Sequence, residues 1–206
     1  VLTMDWCSKN LAVGRQDGSV SIYDSDQVYS NFCVALVELS HKSPVRSVAF
    51  GASGRFLAVG GDNGLLHLYS SKGGWVLCHQ VKADYGISSI KWSPTGRFMA
   101  FGGENGLFQV IDTIFWAEVD EATALISSGP SNNRNASIST VAFSQDGKFI
   151  LYGGQDLGTR IVDSSTWEIA FTLQQMNGEM DDEMKDEEAA ESSVSSQEGD
   201  IDAALF

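Results

Sequence analysis

The residues of this chain most able to do chemistry are three histidines and three cysteines, and their spacing gives them none to do together. His41, His67 and His79 come from different strands or linkers, and no two stand at the interval of a shared metal ion. His67 lies between Leu66 and Leu68, which reads as a satisfied strand histidine. Cys7, Cys33 and Cys78 are far apart and form no C-x-x-C pair, so they read as small buried hydrophobes in a reducing compartment. There is no G-x-S-x-G, H-E-x-x-H or G-x-x-x-x-G-K sequence. The expectation is a protein without catalytic, cofactor-binding or metal-binding residues, hence not an enzyme.

The glycine pairs Gly60-Gly61, Gly102-Gly103 and Gly153-Gly154 resemble phosphate loops until their period is noticed. They recur with a larger unit. Val45–Phe50 returns as Ile87–Trp92 and as Ile138–Phe143, and Val1–Trp6 is a further, eroded copy. The closing aromatics Trp6, Phe50, Trp92 and Phe143 are spaced by 44, 42 and 51 residues. Each copy precedes a polar turn, an apolar run ending in glycine, a second turn and a third apolar run. A period in the low forties built of short strands is that of a propeller blade, so the paired glycines are assigned to close strand packing.

In the second unit, Val45–Phe50 alternates as a first strand, Arg55–Gly60 is the apolar second, Leu65–Tyr69 the third and Trp75–Val81 the fourth. Fourth strands are expected near Phe32–Leu39, Phe115–Val119 and Trp167–Leu173 elsewhere. Asn63-Gly64, Asp17-Gly18 and Asn105-Gly106 predict two-residue type I′ hairpins. Asp156-Leu157-Gly158 predicts a longer or bulged turn, because leucine is poor at positive φ. Arg15, Gln16, Asp62, Glu104 and Gln155 hold equivalent hairpin positions and differ in charge from unit to unit, which makes them the candidate partner-binding residues.

These features resemble the WD-repeat (Trp-Asp repeat) family of β-propellers over about 175 of the 206 residues. The likeness rests on the strand-turn-strand pattern, the Ser93-Pro-Thr-Gly96 type of turn, and an Asp/Asn-Gly hairpin seven residues before a terminal Asp. The family's polar tetrad is eroded. Only His41 matches its histidine; Tyr23, Tyr69, Ile111 and Val162 hold its tryptophan position, and Arg15, Gly61, Gly103 and Gly154 its serine position. The resemblance implies an all-β propeller of four consecutive four-stranded antiparallel blades, a ring left incomplete as part of a longer one, with a closed four-blade ring as the alternative. The blades are expected at about 1–40, 41–83, 84–126 and 138–176, with a loop insertion near 121–137. It further implies a scaffold that binds other proteins in a larger assembly, with exposed blade edges that self-associate.

Charge is concentrated at one end. Residues 177–206 hold 11 acidic groups and one lysine, Lys185, whereas 1–176 hold 16 acidic and 12 basic groups. The stretch 177–206 is therefore expected to be a disordered acidic tail. Without a Lys/Arg stripe, direct nucleic-acid binding is not expected. The tail suggests an alternative function, escort of a basic client such as a ribosomal protein or histone; a propeller enzyme is a distant third, since the inward-facing first-strand positions Ser47, Ala49, Ser89, Lys91, Thr140 and Ala142 offer only Lys91 as an ionisable group. No 18-residue apolar run or secretory leader is visible, so the expected place is cytoplasm or nucleus.

Overall fold

The computed structural model describes residues 1–28, 34–120, 122, 137–155 and 158–173; the acidic stretch, Cys33, Asp156-Leu157 and most of the insertion lie outside them. Four four-stranded antiparallel sheets follow one another along the chain. Blade one comprises β1 (Thr3–Cys7), β2 (Asn10–Gly14), β3 (Ser19–Asp24) and β4 (Val37–Ser40), with the short helix α1 (Ser25–Val28) after β3. Blade two comprises β5 (Val45–Phe50), β6 (Phe56–Gly61), β7 (Leu65–Ser70) and β8 (Val76–Lys82). Blade three has β9 (Ile87–Trp92), β10 (Phe98–Gly103), β11 (Phe108–Asp112) and β12 (Ala117–Glu118), and blade four β13 (Ser137–Phe143), β14 (Phe149–Gln155), β15 (Gly158–Asp163) and β16 (Ile169–Leu173).

The sheets pack face to face through their first strands, β1 on β5, β5 on β9 and β9 on β13, and the ring is not closed. Three apolar clusters fill the three joints. Val48, Ile90 and Val141 are 3%, 0% and 1% exposed inside them, whereas Met4, at the same repeat position in blade one, is 65% exposed. The expected inter-blade residues Phe50, Trp92 and Phe143 also pack into these clusters. Burying each large apolar side chain contributes roughly 1.5–3 kcal/mol, so the joints hold the arc together.

A polar device recurs at each joint. The first strand is a sheet edge, and its outward N–H groups need acceptors. The Thr3 hydroxyl accepts from the Val48 N–H at 3.3 Å, the Ser47 hydroxyl from the Ile90 N–H at 3.0 Å, and the Ser89 hydroxyl from the Val141 N–H at 3.1 Å. In blade one the Asp5 carboxylate adds a second acceptor, for the Phe50 N–H at 2.7 Å. The glycine pairs serve the same approach. A Cβ on Gly60 would lie 2.8 Å from Ile87, and one on Gly102 2.4 Å from Ile138, in the next blade. A Cβ on the second glycine would strike a carbonyl, of Pro44 at Gly61 (2.2 Å) and of Gly86 at Gly103 (1.9 Å). The crossing carbonyl leaves no room for the family's serine.

Several expectations need correction. The hairpins at Asp17-Gly18 and Asn63-Gly64 are not type I′, since only Gly18 and Gly64 have positive φ. The Asp17 and Asn63 side chains accept from the N–H two residues on, at 2.9 and 3.1 Å, which stabilises an ordinary turn closed by a left-handed glycine. Among the described hairpin residues, blade three puts both of its pair, Asn105 and Gly106, at positive φ. Fourth strands begin later than expected because Trp75, Trp116 and Trp167 precede them in the left-handed region, at φ 63°, 53° and 58°. Cys7 is half-buried against the first joint, but Cys78 is exposed on the outer strand β8. Neither forms a disulfide.

Replacing Ser47 by alanine strands the Ile90 N–H inside a joint, and a loss of about 1–3 kcal/mol is expected. Urea unfolding of the full chain measures it, and an unchanged midpoint would show that the clasp contributes nothing.

Candidate interaction surface

In blades one and two the hairpin between second and third strands abuts the linker into the next blade: Gly18 lies against the His41 carbonyl and Gly64 against that of Ala83. A bulge aims one side chain toward this end of the arc. The first-strand register skips a residue at Arg46 in blade two and at Ser139 in blade four, and again beside Gly102–Gly103 in blade three. Arg46 thereby reaches Asp62, its Nε at 2.6 Å and its second contact at 2.9 Å, a bidentate pair on the surface. The Asp62 hydrogen bond and charge raise the Arg46 pKa, and Glu104 of the next hairpin adds to it. The expected Asp62 and Glu104 thus gather around Arg46, which the sequence reading left out although its exposed place in an alternating strand was visible.

The other expected residues behave differently. Arg15 turns back onto its own blade, donating to the hydroxyls of Ser19 at 3.3 Å, Ser21 at 2.5 Å and Tyr23 at 3.0 Å. Gln16 is exposed at the turn. Gln155 ends β14, paired with Ser137, and its side chain lies outside the described residues.

Arg15 also shows what replaces the family tetrad. The equivalent third-strand positions Ser21, His67, Gln109 and Arg160 are all polar, and blades one to three surround theirs differently. In blade one Ser21 joins Arg15, Tyr23 and Glu38. In blade two the His41 ring lies edge-on to His67 at 4.7 Å and its Nε2 hydrogen-bonds the Tyr69 hydroxyl at 3.3 Å. In blade three Gln109 donates to Glu118 at 2.9 Å. His67 is not the satisfied histidine expected, because its Nδ1 is buried without a hydrogen bond. Burial, and secondarily the neighbouring His67, pushes His41 down from 6.5 to about 4, and burial lowers His67 as well.

Two clefts open on the arc, one mixed and one apolar. One, of about 480 Å³, is bordered by the first strands of all four blades, with Asp5, Trp6, Lys91 and Phe143 on its walls. At the repeat position of Lys91, blade one carries a second ionisable residue, Asp5, on the wall of the same cleft. The other, of about 370 Å³, lies on the open face of blade four between Phe143, Phe149, Leu151, Ile161 and Phe171. Among the described residues no cluster of three or more His, Cys, Asp or Glu could hold a metal ion, and no helix is long and apolar enough to cross a membrane.

Comparison with known proteins adds to this geometry. Residues 4–84 match the family model described as the anaphase-promoting complex subunit 4 WD40 domain, and residues 75–112 match the WD domain, G-beta repeat. The β-propeller domain of Myceliophteria thermophila Cps50 (Swd1) superposes with a TM-score of 0.67 at 17% identity, over 84% of this chain and 55% of that one. A chain of the Mitotic Checkpoint Complex does so at 0.67 and 19%, over 82% of this chain and 51% of its own length. The chain therefore spans about half the length of these propellers. No curated protein matches it by sequence.

The histidine pair makes a pH prediction. The unfolded chain takes up a proton near 6.5 and the folded chain only near 4, so this contribution is present above pH 6.5 and is lost as pH falls toward 4. Because His41 is partly solvated, screening keeps the loss well below the roughly 3 kcal/mol that the full shift would carry. Asp17, Asp146 and Asp163, held below the usual carboxylate range by the hydroxyls of Ser19, Ser144 and Ser165, titrate below that window. Urea midpoints measured from pH 7 to pH 4 should fall, and His41→Asn should flatten the slope; an equally steep slope in the variant would contradict the assignment.

Proposed function

The chain belongs to the WD-repeat β-propeller family, and from that premise we propose that it is a non-catalytic scaffold holding protein partners within a larger assembly. The observation that carries this reading is the contrast between joints and rim. The joints repeat the same hydroxyl, glycine and aliphatic groups, while the hairpin rim varies from Arg15-Gln16 to Asp62 to Glu104. A rim that changes around a constant frame suits recognition. The matched model of residues 4–84 is named for a subunit of a multiprotein complex, which also favours a subunit's role.

On this proposal the Arg46–Asp62–Glu104 group forms part of the contact surface. A mixed-charge group of this kind fixes orientation and on-rate more than affinity. Escort of a basic client is the second reading, favoured by the net charge of −10 carried by residues 177–206. The two separate by salt and truncation. Escort requires binding of basic proteins that weakens steeply with salt and drops when 177–206 are removed.

Affinity capture with the full chain tests the scaffold. Reproducible protein partners retained by the wild type should be lost or weakened about tenfold by the double change Asp62→Lys and Glu104→Lys, at unchanged stability. Partners retained equally by that variant would remove this surface from the proposal, and turnover of a small molecule with no partner recovered would overturn it.

A further inference from the structure

A charge pattern that recurs along the arc is broken in blade two. The residue just before each second strand is basic: Lys9, Arg55, Arg97 and Lys148. Across from it the third strand ends in Asp24, Asp112 and Asp163 in blades one, three and four. Those aspartates cap the turn that follows, accepting the N–H two residues on at 2.9, 2.8 and 2.7 Å. In blade three Arg97 also grips Asp112, both contacts at 3.4 Å, while Lys9 and Lys148 hold the nearby Asp26 and Asp146. Each of these three cations thus has a carboxylate.

Blade two keeps the cation and lacks the acid. Ser70 stands at the end of β7, paired with Phe56, and its hydroxyl accepts the Lys72 N–H at 3.3 Å. Among the described residues the exposed Arg55 side chain has no ion pair or hydrogen bond, and Lys72 puts a second such cation in the same turn. The turn is one residue longer than its counterparts in blades three and four, with Gly73 and Gly74 at φ 93° and 90°. A Cβ on Gly74 would meet nothing within 4 Å, so the turn stands open.

Apolar side chains border it. Val76 pairs with Ser70 and is 50% exposed. Trp116 packs on Phe56 at 5.4 Å and on His79 at 5.5 Å, which holds the Ile114-Phe115 turn of blade three beside blade two. Phe115 is 75% exposed there. Blades two and three each have a neighbour on both faces, so this patch is open beside their outer strands and not at an end of the arc.

We propose that blade two binds an aspartate or glutamate side chain of a partner protein at this turn. The carboxylate lies between Arg55 and Lys72, in the place that Asp112 takes beside Arg97, and an adjoining aliphatic or aromatic residue of the partner covers Val76 and Phe115. A guanidinium fork and an ammonium suit a carboxylate, and three sister blades supply that group here from their own third strand. The site rests on the reading of the chain as a scaffold and gives it a second surface, at the opposite end of β6 from Asp62.

Peptide selection on the full chain tests this. The probe is a pool of short end-blocked peptides with aspartate or glutamate beside leucine, isoleucine or phenylalanine, matched by a pool carrying asparagine or glutamine instead. The wild type should retain the acidic pool and release the amide pool. Arg55→Glu and Phe115→Ser should each weaken retention about tenfold or more. Arg55→Gln serves if Arg55→Glu fails to fold. Ser70→Asp, which supplies the carboxylate from the protein's own strand, should block the peptides in a chain that still shows its urea transition. No retention, equal retention of both pools, or retention that survives Ser70→Asp would overturn the site, as would binding to phosphatidylserine vesicles in place of the peptides. Affinity capture that still recovers protein partners would then leave the scaffold reading standing and remove this surface alone.

Discussion

The free edge of each blade's first strand is the constraint around which the rest of the arc is arranged. An edge strand exposes N–H groups that cost free energy if buried unpaired, yet the apolar joints bury them. The hydroxyls of Thr3, Ser47 and Ser89 answer that need from the preceding blade. A hydroxyl reaches only if the backbones approach closely, which is why Gly60 and Gly102 face Ile87 and Ile138 with no space for a Cβ. Close approach in turn brings the aliphatic and aromatic side chains of the three clusters into contact. Polar satisfaction, glycine placement and apolar burial are thus one interlocked requirement, and they recur because the chain repeats.

Freed from the joints, the hairpin ends carry diversity. The third-strand positions tolerate different polar groups: Ser21 and Gln109 hydrogen-bond within their own blades, while His67 lies edge-on to the His41 ring. The family tetrad is therefore replaceable. Its serine cannot stand where the Pro44 and Gly86 carbonyls cross, and its structural task passes to the joint hydroxyls and to clusters such as Arg15 with Tyr23. The rim above can then vary in charge without disturbing the frame, the property on which the scaffold proposal rests.

The blade plan was legible because period, strand alternation and turn residues all report the same fold. The apolar joint residues Val48, Ile90 and Val141 were legible for the same reason, since their period-2 pattern survives in every copy. What escaped were effects of geometry between blades. Ser47 and Ser89 look inert in a strand, and only the neighbouring edge gives them a partner. The type I′ expectation failed because Asp17 and Asn63 use their side chains as acceptors instead of adopting positive φ. At the rim, Arg15 has the composition of a contact residue, but three hydroxyls nearby draw it inward, while a bulge turns Arg46 outward to Asp62.

Native-state hydrogen exchange at the first strands tests the account most directly. If the clasps close the joints, the amides of Val48, Ile90 and Val141 should exchange slowly, at rates set by opening of the blades, although each lies on a strand edge. Exchange of these three amides at the rate of an exposed turn would contradict the claim that hydroxyl and edge hold neighbouring blades together.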